Sequence, residues 1–326
     1  MTYDLTYISL GAGVQSSALY ILAAQGKHGV PHADVAVFAD TGDEPDYVYR
    51  QLERLEEWGK KHGGAPIHRV EEGSGSLSEV MGVRWVPIPA FTRVSEEKFT
   101  DAVGDPYTVF TLEQQAPDER TRGGRRRRDR EGMLRRQCTK EFKVVPIQRF
   151  IKETVLGIPR GKPVKKRARG MMGFSCEEVA RIKPSREKWI DSVYPLMDAR
   201  LYRPHCIRIV EDAGLGTPRK SACTFCPYHS DRYWAEMKRD DPKAFDHSVD
   251  VDEMIRSAAS RAQLYHSDGK AYASLRGPHP TIPGRSKDGI EADNIYVHRS
   301  CTPLKDVQFG DQPSLWGEEC EGHCGI

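Results

Sequence analysis

One short stretch near the amino terminus constrains this chain more than any other. Leu5 to Leu10 is a β-type run that ends in the small-residue turn Gly11-Ala12-Gly13, and Gln15 to Ala24 follows with apolar spacing suited to a helix. The pattern then repeats. Asp34 to Ala39 reads as a fully buried strand, Asp40-Thr41-Gly42 as its turn and about Asp46 to Lys61 as its helix, and Pro66 to Val70 supplies a third strand. Strands alternating with helices predict an α/β fold, a doubly wound parallel sheet whose ligand sits beyond the carboxyl ends of the strands.

The turn narrows the chemistry. A helix that opens directly after a strand and a glycine turn presents unpaired backbone N–H groups, and the positive end of its dipole, to a phosphate or sulfate. Ser9, Gly11, Ala12, Gly13, Gln15, Ser16 and Ser17 supply small, hydrogen-bonding material there; the plainer alternative is a tight turn that needs glycine for its backbone alone. Asp40, Thr41 and Gly42 end the neighbouring strand, where a carboxylate serves a ribose, a metal ion or a helix cap. No lysine follows the first turn as a Walker A loop requires, which argues against a kinase-type P-loop.

From Glu71 to about Gln137 the periodicity fails under Gly, Pro and Arg, which reads as a long excursion rather than a domain. Arg120, Arg122, Arg125 to Arg128, Arg130, Arg135 and Arg136 crowd that segment although the whole chain carries a net charge of only +2, so an anionic visitor is expected there. Arginine grips phosphate or sulfate bidentately, and Arg135 and Arg136, beside Cys138, are the candidates. The alternative is a solvated charged loop. With Lys162, Lys165, Lys166, Arg167 and Arg169 the run also suits a nucleic-acid backbone.

Structure resumes with a helix over Phe142 to Thr154, a strand over Gly170 to Phe174 and a helix over Pro204 to Ala213 stopped by Gly214. After Cys223-Thr224-Phe225-Cys226-Pro227 come two helices, about Ser230 to Arg239 and Pro242 to Gln263, and a Gly- and Pro-rich tail. The expected division is a nucleotide-binding domain over 1–215, carrying the 71–137 excursion, and a cysteine-containing helical region with a flexible tail over 216–326.

No apolar run approaches the ~20 residues that span a bilayer, and Met1 to Ile8 lacks the basic flank of a signal peptide, so a cytoplasmic protein with no membrane partner is expected. The cytosol keeps thiols reduced, so the eight cysteines point to metal or redox chemistry rather than disulfides. Cys223 and Cys226 stand two residues apart in a turn-like unit that lets both thiolates face one metal. The pair alone fits half a zinc site, half an iron–sulfur site, a thioredoxin-like redox pair or two core thiols.

Ser9-Leu10-Gly11-Ala12-Gly13-Val14-Gln15-Ser16-Ser17 resembles the PP-loop of adenine nucleotide alpha-hydrolases, with Gln15 in place of the usual aspartate. That glutamine, and Phe38-Ala39-Asp40-Thr41-Gly42 followed by Glu44, Pro45 and Tyr47, look more like the phosphoadenylyl-sulfate (PAPS) reductase family than like ATP pyrophosphatases. The stretch from Arg136 to Ile147 is similar to the segment of assimilatory adenylyl-sulfate reductases in which cysteines precede a basic helix, with a Cys-x-x-Cys following well downstream. Those reductases carry a cysteine pair where this chain has Gln137-Cys138. The resemblance covers roughly two thirds of the chain and implies a HUP-type fold and a [4Fe-4S] cluster with Cys138, Cys223 and Cys226 among its ligands. Cys206, which opens a helix close in sequence to the pair, is the first candidate for the fourth ligand, with Cys176 and the tail cysteines behind it. A three-cysteine cluster with an open iron site is the alternative, and zinc is the alternative metal.

Glu319-Cys320-Glu321-Gly322-His323-Cys324 resembles the reductases' tail, broken by an insertion, which implies Cys320 or Cys324 as the nucleophile. Three functions stay open. The first is a sulfonucleotide reductase that binds an adenylyl or phosphoadenylyl sulfate and works with a thiol reductant. The second is an ATP-dependent sulfurtransferase, similar to DNA phosphorothioation proteins, that uses ATP with Mg2+ and a sulfur donor protein to thiolate a nucleic acid. The third is a non-catalytic, zinc-containing protein that binds nucleotide or nucleic acid.

Overall fold

The amino-terminal alternation becomes β1 (Leu5–Leu10), α1 (Val14–Gln25), β2 (Val35–Ala39), α2 (Asp46–His62) and β3 (Ile67–Val70). A computed structural model describes residues 2–83, 86–93, 131–134, 136–257, 263–267, 270–274 and 294–309. Further along lie α3 (Leu77–Val83), β4 (Phe91–Arg93), β5 (Glu131–Met133), α4 (Val145–Phe150), β6 (Ala168–Met172), β7 (Ile190–Val193), α5 (Pro195–Asp198) and α6 (Arg203–Asp212). The remainder is α7 (Asp231–Asp240), α8 (Pro242–Ser257), β8 (Gln263–Ser267), β9 (Lys270–Ser274) and β10 (Asn294–Tyr296). Wide π turns, Lys140–Val144 and Ile151–Val155, extend α4 at both ends, so the expected helix over Phe142 to Thr154 is one continuous helical stretch.

β1, β2, β3, β6 and β7 form a single sheet in the order β3-β2-β1-β6-β7, every neighbouring pair parallel. Both faces are covered, which is why β2 reads as an unbroken apolar run with all five residues buried. Ile8, Leu10, Ala36 and Phe38 pack on one side against α1, α2 and α6. Leu5, Tyr7, Val35, Val37 and Ala39 pack on the other against Ile147 and Ile151. α1 is apolar nearly all round because it lies buried between sheet and helices, whereas α2 turns one stripe inward, with Val48, Leu52, Leu55 and Trp58 as its apolar part. This is an α/β architecture compatible with a doubly wound fold.

The chain divides into two compact units, one built from Met1–Gly75 with Thr139–Cys223 and one from Ser76–Cys138 with the described residues that follow Cys223. The first unit holds the parallel sheet. In the second, β4 pairs antiparallel with both β5 and β10, α7 and α8 pack near them, and β8 and β9 form a hairpin. Residues 71–137, read from sequence as a long excursion rather than a domain, supply α3 and two strands of a sheet. The second helix expected to run to Gln263 ends at Ser257, and Gln263 opens β8. Among the described residues no helix is long and apolar enough to cross a membrane.

Candidate functional site

Strand order reverses direction at β1, which has β2 on one side and β6 on the other, and such a reversal opens a crevice at the carboxyl ends of the strands. The first turn lies there. Ala12 is held in the left-handed region at φ 53°, a conformation that costs a non-glycine residue free energy and recurs at binding sites. Gly13 precedes α1 without any side-chain cap, and the first turn of α1 carries no acidic residue, so no carboxylate offsets its dipole. The Ser16 hydroxyl accepts from the Gly11 N–H at 3.2 Å and donates to the Gly13 carbonyl at 3.3 Å, tying the turn to itself. Ser17 is fully buried and its hydroxyl has no hydrogen-bond partner.

β6 contributes a wall that the sequence did not announce. A methyl group on Gly173 would fall 2.7 Å from the Ser16 Cα and 2.8 Å from its nitrogen, so only glycine lets the chain leaving β6 pass so close to α1. Beyond it, the Gln15 amide donates to the Ser175 hydroxyl at 3.5 Å, and Arg203, at the start of α6, donates to the Gln15 carbonyl oxygen at 3.5 Å. Ser175 itself caps the short 3-10 helix Cys176–Arg181 through Glu178. The two hydrogen bonds give Gln15 a fixed orientation at the mouth of the turn.

Asp40 closes its own turn, accepting from the Gly42 N–H at 2.8 Å and from the Tyr49 hydroxyl at 2.8 Å. Burial first, and then the Asp40 carboxylate, push the Tyr49 phenol well above its ordinary range, so Tyr49 remains a donor. Thr41 and Glu44 are both buried. Thr41 Oγ1 lies 3.3 Å from Cys223 Sγ, and Glu44 Oε1 takes the Lys143 ammonium at 2.9 Å and the Cys223 thiol at 3.8 Å. Glu44 Oε2 has no hydrogen-bond partner. The residues before Cys223 reach the first turn: the Tyr47 hydroxyl donates to the Lys220 carbonyl at 2.7 Å, and Ser221 lies against Gly11 and Gly13. Serine, threonine, a dipole end and lysine together suit an anion, and the thiol beside them brings sulfur to the same place.

The remaining candidates each have surroundings of their own. Cys206 is fully buried in the apolar cluster with Ile8, Leu19 and Val210, and burial pushes its thiol up to about 12, the surroundings of a packed core thiol. Cys138 and Cys226 belong to the second unit, where the Cys138 N–H donates to the Pro87 carbonyl and the Cys226 carbonyl accepts from the His229 N–H. Arg136 sits over the Tyr228 ring at 5.9 Å. Among the described residues no three His, Cys, Asp or Glu side chains gather as a metal site. Arg135, Cys320 and Cys324 lie outside the described residues.

The second unit has a polar cluster around buried His298. His298 Nε2 lies 3.1 Å from Asp231 Oδ1, and its Nδ1 faces both the hydroxyl and the N–H of Ser300, at 2.8 and 3.2 Å. A single nitrogen serving both groups of Ser300 marks a turn cap rather than an activated serine. Sequence reasoning missed Gly173, Ser175, Arg203, Lys143, Glu44 and Ser221, all brought in by the fold; Glu44, in the Asp40-Thr41-Gly42-Asp43-Glu44 run, carried the nearest thing to a signal. The chain matches no protein-family model and no curated protein.

Proposed function

We propose that this chain is an adenine-nucleotide-dependent enzyme of sulfur chemistry, similar to PAPS reductases, that binds a sulfonucleotide or ATP against the β1–α1 turn of a HUP-type fold. One observation carries the reading. The Gly11-Ala12-Gly13 and Asp40-Thr41-Gly42 turns lie at the ends of adjacent parallel strands where the sheet order reverses, and the Cys223 thiol rests against the second of them. In this reading the N–H groups of α1 and the Ser16 and Ser17 side chains take the phosphates, Gln15 is held toward them by Ser175 and Arg203, and Lys143 balances Glu44.

The cofactor of this reading is cysteine-bound, iron–sulfur or alternatively zinc, and the Cys223 and Cys226 spacing supports it. Bound there, a cluster supplies thiolate-ligated iron and one-electron redox capacity. The full set with Cys206 does not fit, because that thiol is packed in the core, and no step of the proposed chemistry runs through the metal. Attack of a Cys320 or Cys324 thiolate on the sulfonate sulfur, which breaks the sulfur–oxygen bond and expels the nucleotide phosphate, followed by attack of a thiol reductant that releases sulfite and leaves a disulfide, stands as part of the proposal.

The Cys223 thiol beside Thr41 also favours a second reading, in which ATP with Mg2+ activates an acceptor and sulfur from a donor protein is delivered to it, a nucleic acid included. Anaerobically purified protein, assayed for sulfite release from adenylyl and phosphoadenylyl sulfate and for pyrophosphate release from ATP, separates the two. Sulfite supports the reductase, and pyrophosphate the transferase. Neither product, with stoichiometric zinc, leaves the non-catalytic binding protein.

A further inference from the structure

Ser221 touches the first turn from a distant part of the chain. A methyl group on Gly13 would lie 3.2 Å from the Ser221 hydroxyl and 3.5 Å from its backbone nitrogen, and one on Gly11 would lie 3.5 Å from the same hydroxyl. The segment is pinned on both sides of this contact. Before it, the Tyr47 hydroxyl holds the Lys220 carbonyl at 2.7 Å and the Arg219 guanidinium sits 5.6 Å from the Tyr47 ring centre. After it, Cys223 is held by Thr41 and Glu44. Residues 219–223 therefore bridge the two turns.

Two buried groups on the joined elements have hydrogen-bonding capacity left over. Ser17 Oγ, in the first turn of α1, and Glu44 Oε2 have no partner, although the residues are only 0% and 5% exposed. Buried polar atoms are nearly always satisfied, so the unpaired Ser17 hydroxyl leaves a donor for an anionic ligand and the unpaired Glu44 Oε2 an acceptor for a ligand hydroxyl or an accompanying cation.

We propose that Arg219 to Cys223 form a strap that is the second wall of the anion site, with Ser221 and Arg219 facing the phosphate or sulfo-phosphate chain of a nucleotide held by α1. The proposal rests on the nucleotide reading above and deepens it. The strap reads the charged chain beyond the first phosphate, so the ligand class is a nucleotide with at least two linked anionic groups. Its anchors, Tyr47 and Thr41, lie at the second turn, so strap and turn move as one.

Calorimetric titration of the full chain with ATP, adenosine 5′-phosphosulfate and AMP tests this. The wild type prefers ATP or the phosphosulfate over AMP. Ser221→Ala and Arg219→Gln each reduce that preference about tenfold, the loss expected for one charge-assisted hydrogen bond, while AMP affinity stays unchanged. Arg208→Gln, at an exposed position on α6, leaves all three affinities unchanged. Equal weakening of AMP and ATP in the strap variants would show a merely structural segment and overturn the proposal, as would wild-type behaviour in both. Gly13→Ala, which presses a methyl group on Ser221, should lower ATP affinity further with no change in circular dichroism. A wild type that binds none of the three overturns the nucleotide reading itself.

Discussion

The parallel sheet of the first unit and the three-stranded sheet of the second are held by different physics. In the first unit, parallel strands of four to six residues stack between two apolar layers, and the edge strands β3 and β7 carry the polar residues His68, Arg69, Asp191 and Ser192. In the second, β4, β5 and β10 have three residues each, and β4 meets β10 across some two hundred positions of sequence. Such short ladders cannot fix a loop, and side chains do it instead. Asp252, fully buried, accepts from the N–H groups of Val297 and Leu304 at 2.9 and 3.0 Å and from Arg256 Nε at 3.0 Å. An apolar layer degrades gradually as atoms are removed, whereas a satisfied buried carboxylate specifies one arrangement and fails abruptly.

The sharpest way to break the comparison is Asp252→Ala, which strands two backbone N–H groups and a buried guanidinium and should cost about 3–5 kcal/mol. Hydrogen exchange should show the loss in peptides covering α8 and 294–309, with β1 and β2 keeping their protection. Uniform loss everywhere would mean that the two units unfold as one. Next is Gly173→Ala. Its methyl group meets Ser16 backbone rather than a yielding side chain, so about 1–3 kcal/mol of stability should go, together with ATP affinity. Unchanged denaturation and unchanged binding would show that α1 can shift away from β6, and the crevice would lose its rigid wall.

The same contrast explains what the sequence could disclose. β1 and β2 were legible because each apolar run is local and each turn carries glycine, and β3 because it continues the strand–helix alternation after α2; Gly26 and Gly63 mark the ends of α1 and α2 in left-handed conformations. β7 was not, since an edge strand reading Ile-Asp-Ser-Val shows no apolar alternation. β4, β5 and β10 carry no local signal at all, because what stabilises them is distant in sequence. The site divides likewise. Gly11, Gly13, Asp40 and Thr41 announced themselves through turn chemistry, whereas Gly173, Ser221 and Lys143 matter only through what the fold sets beside them. Cys206 shows the converse: its position near a Cys-x-x-Cys suggested a ligand, and the apolar periodicity of α6 put it in the core.

Cys206→Ala gives a smaller effect, about 1 kcal/mol for a cavity the size of one sulfur atom. Iron or zinc content should not change, and Cys206 in the wild type should resist iodoacetamide longer than Cys223. Loss of metal in this variant would return Cys206 to the ligand set and make the core packing secondary.

The mildest test uses protons. Burial is the main reason that His298 titrates below its ordinary value of 6.5, partly opposed by the Asp231 carboxylate and reinforced by Arg299. The folded chain therefore favours neutral His298, and the unfolded chain takes up the proton first as pH falls. Stability from this group is complete above about 6.5 and is lost as pH drops through that value toward the folded pKa. Asp231 is held below its ordinary 3.8 by Arg299 and His298, against the desolvation of its burial, so its contribution is also present at neutral pH and disappears only in stronger acid. The two steps share a sign and differ in window. One proton bounds the slope at about 1.4 kcal/mol per pH unit, and partial compensation by Asp231 keeps it lower. Corrected for the intrinsic pH dependence of amide exchange, opening in peptides covering 231–240 and 294–309 should rise as pH falls from 7 to 5, and His298→Gln should flatten that rise. A parallel rise in β1 and β2 would place the pH response in the parallel sheet, where no described histidine hydrogen-bonds a carboxylate, and the polar-latch account of the second unit would fail.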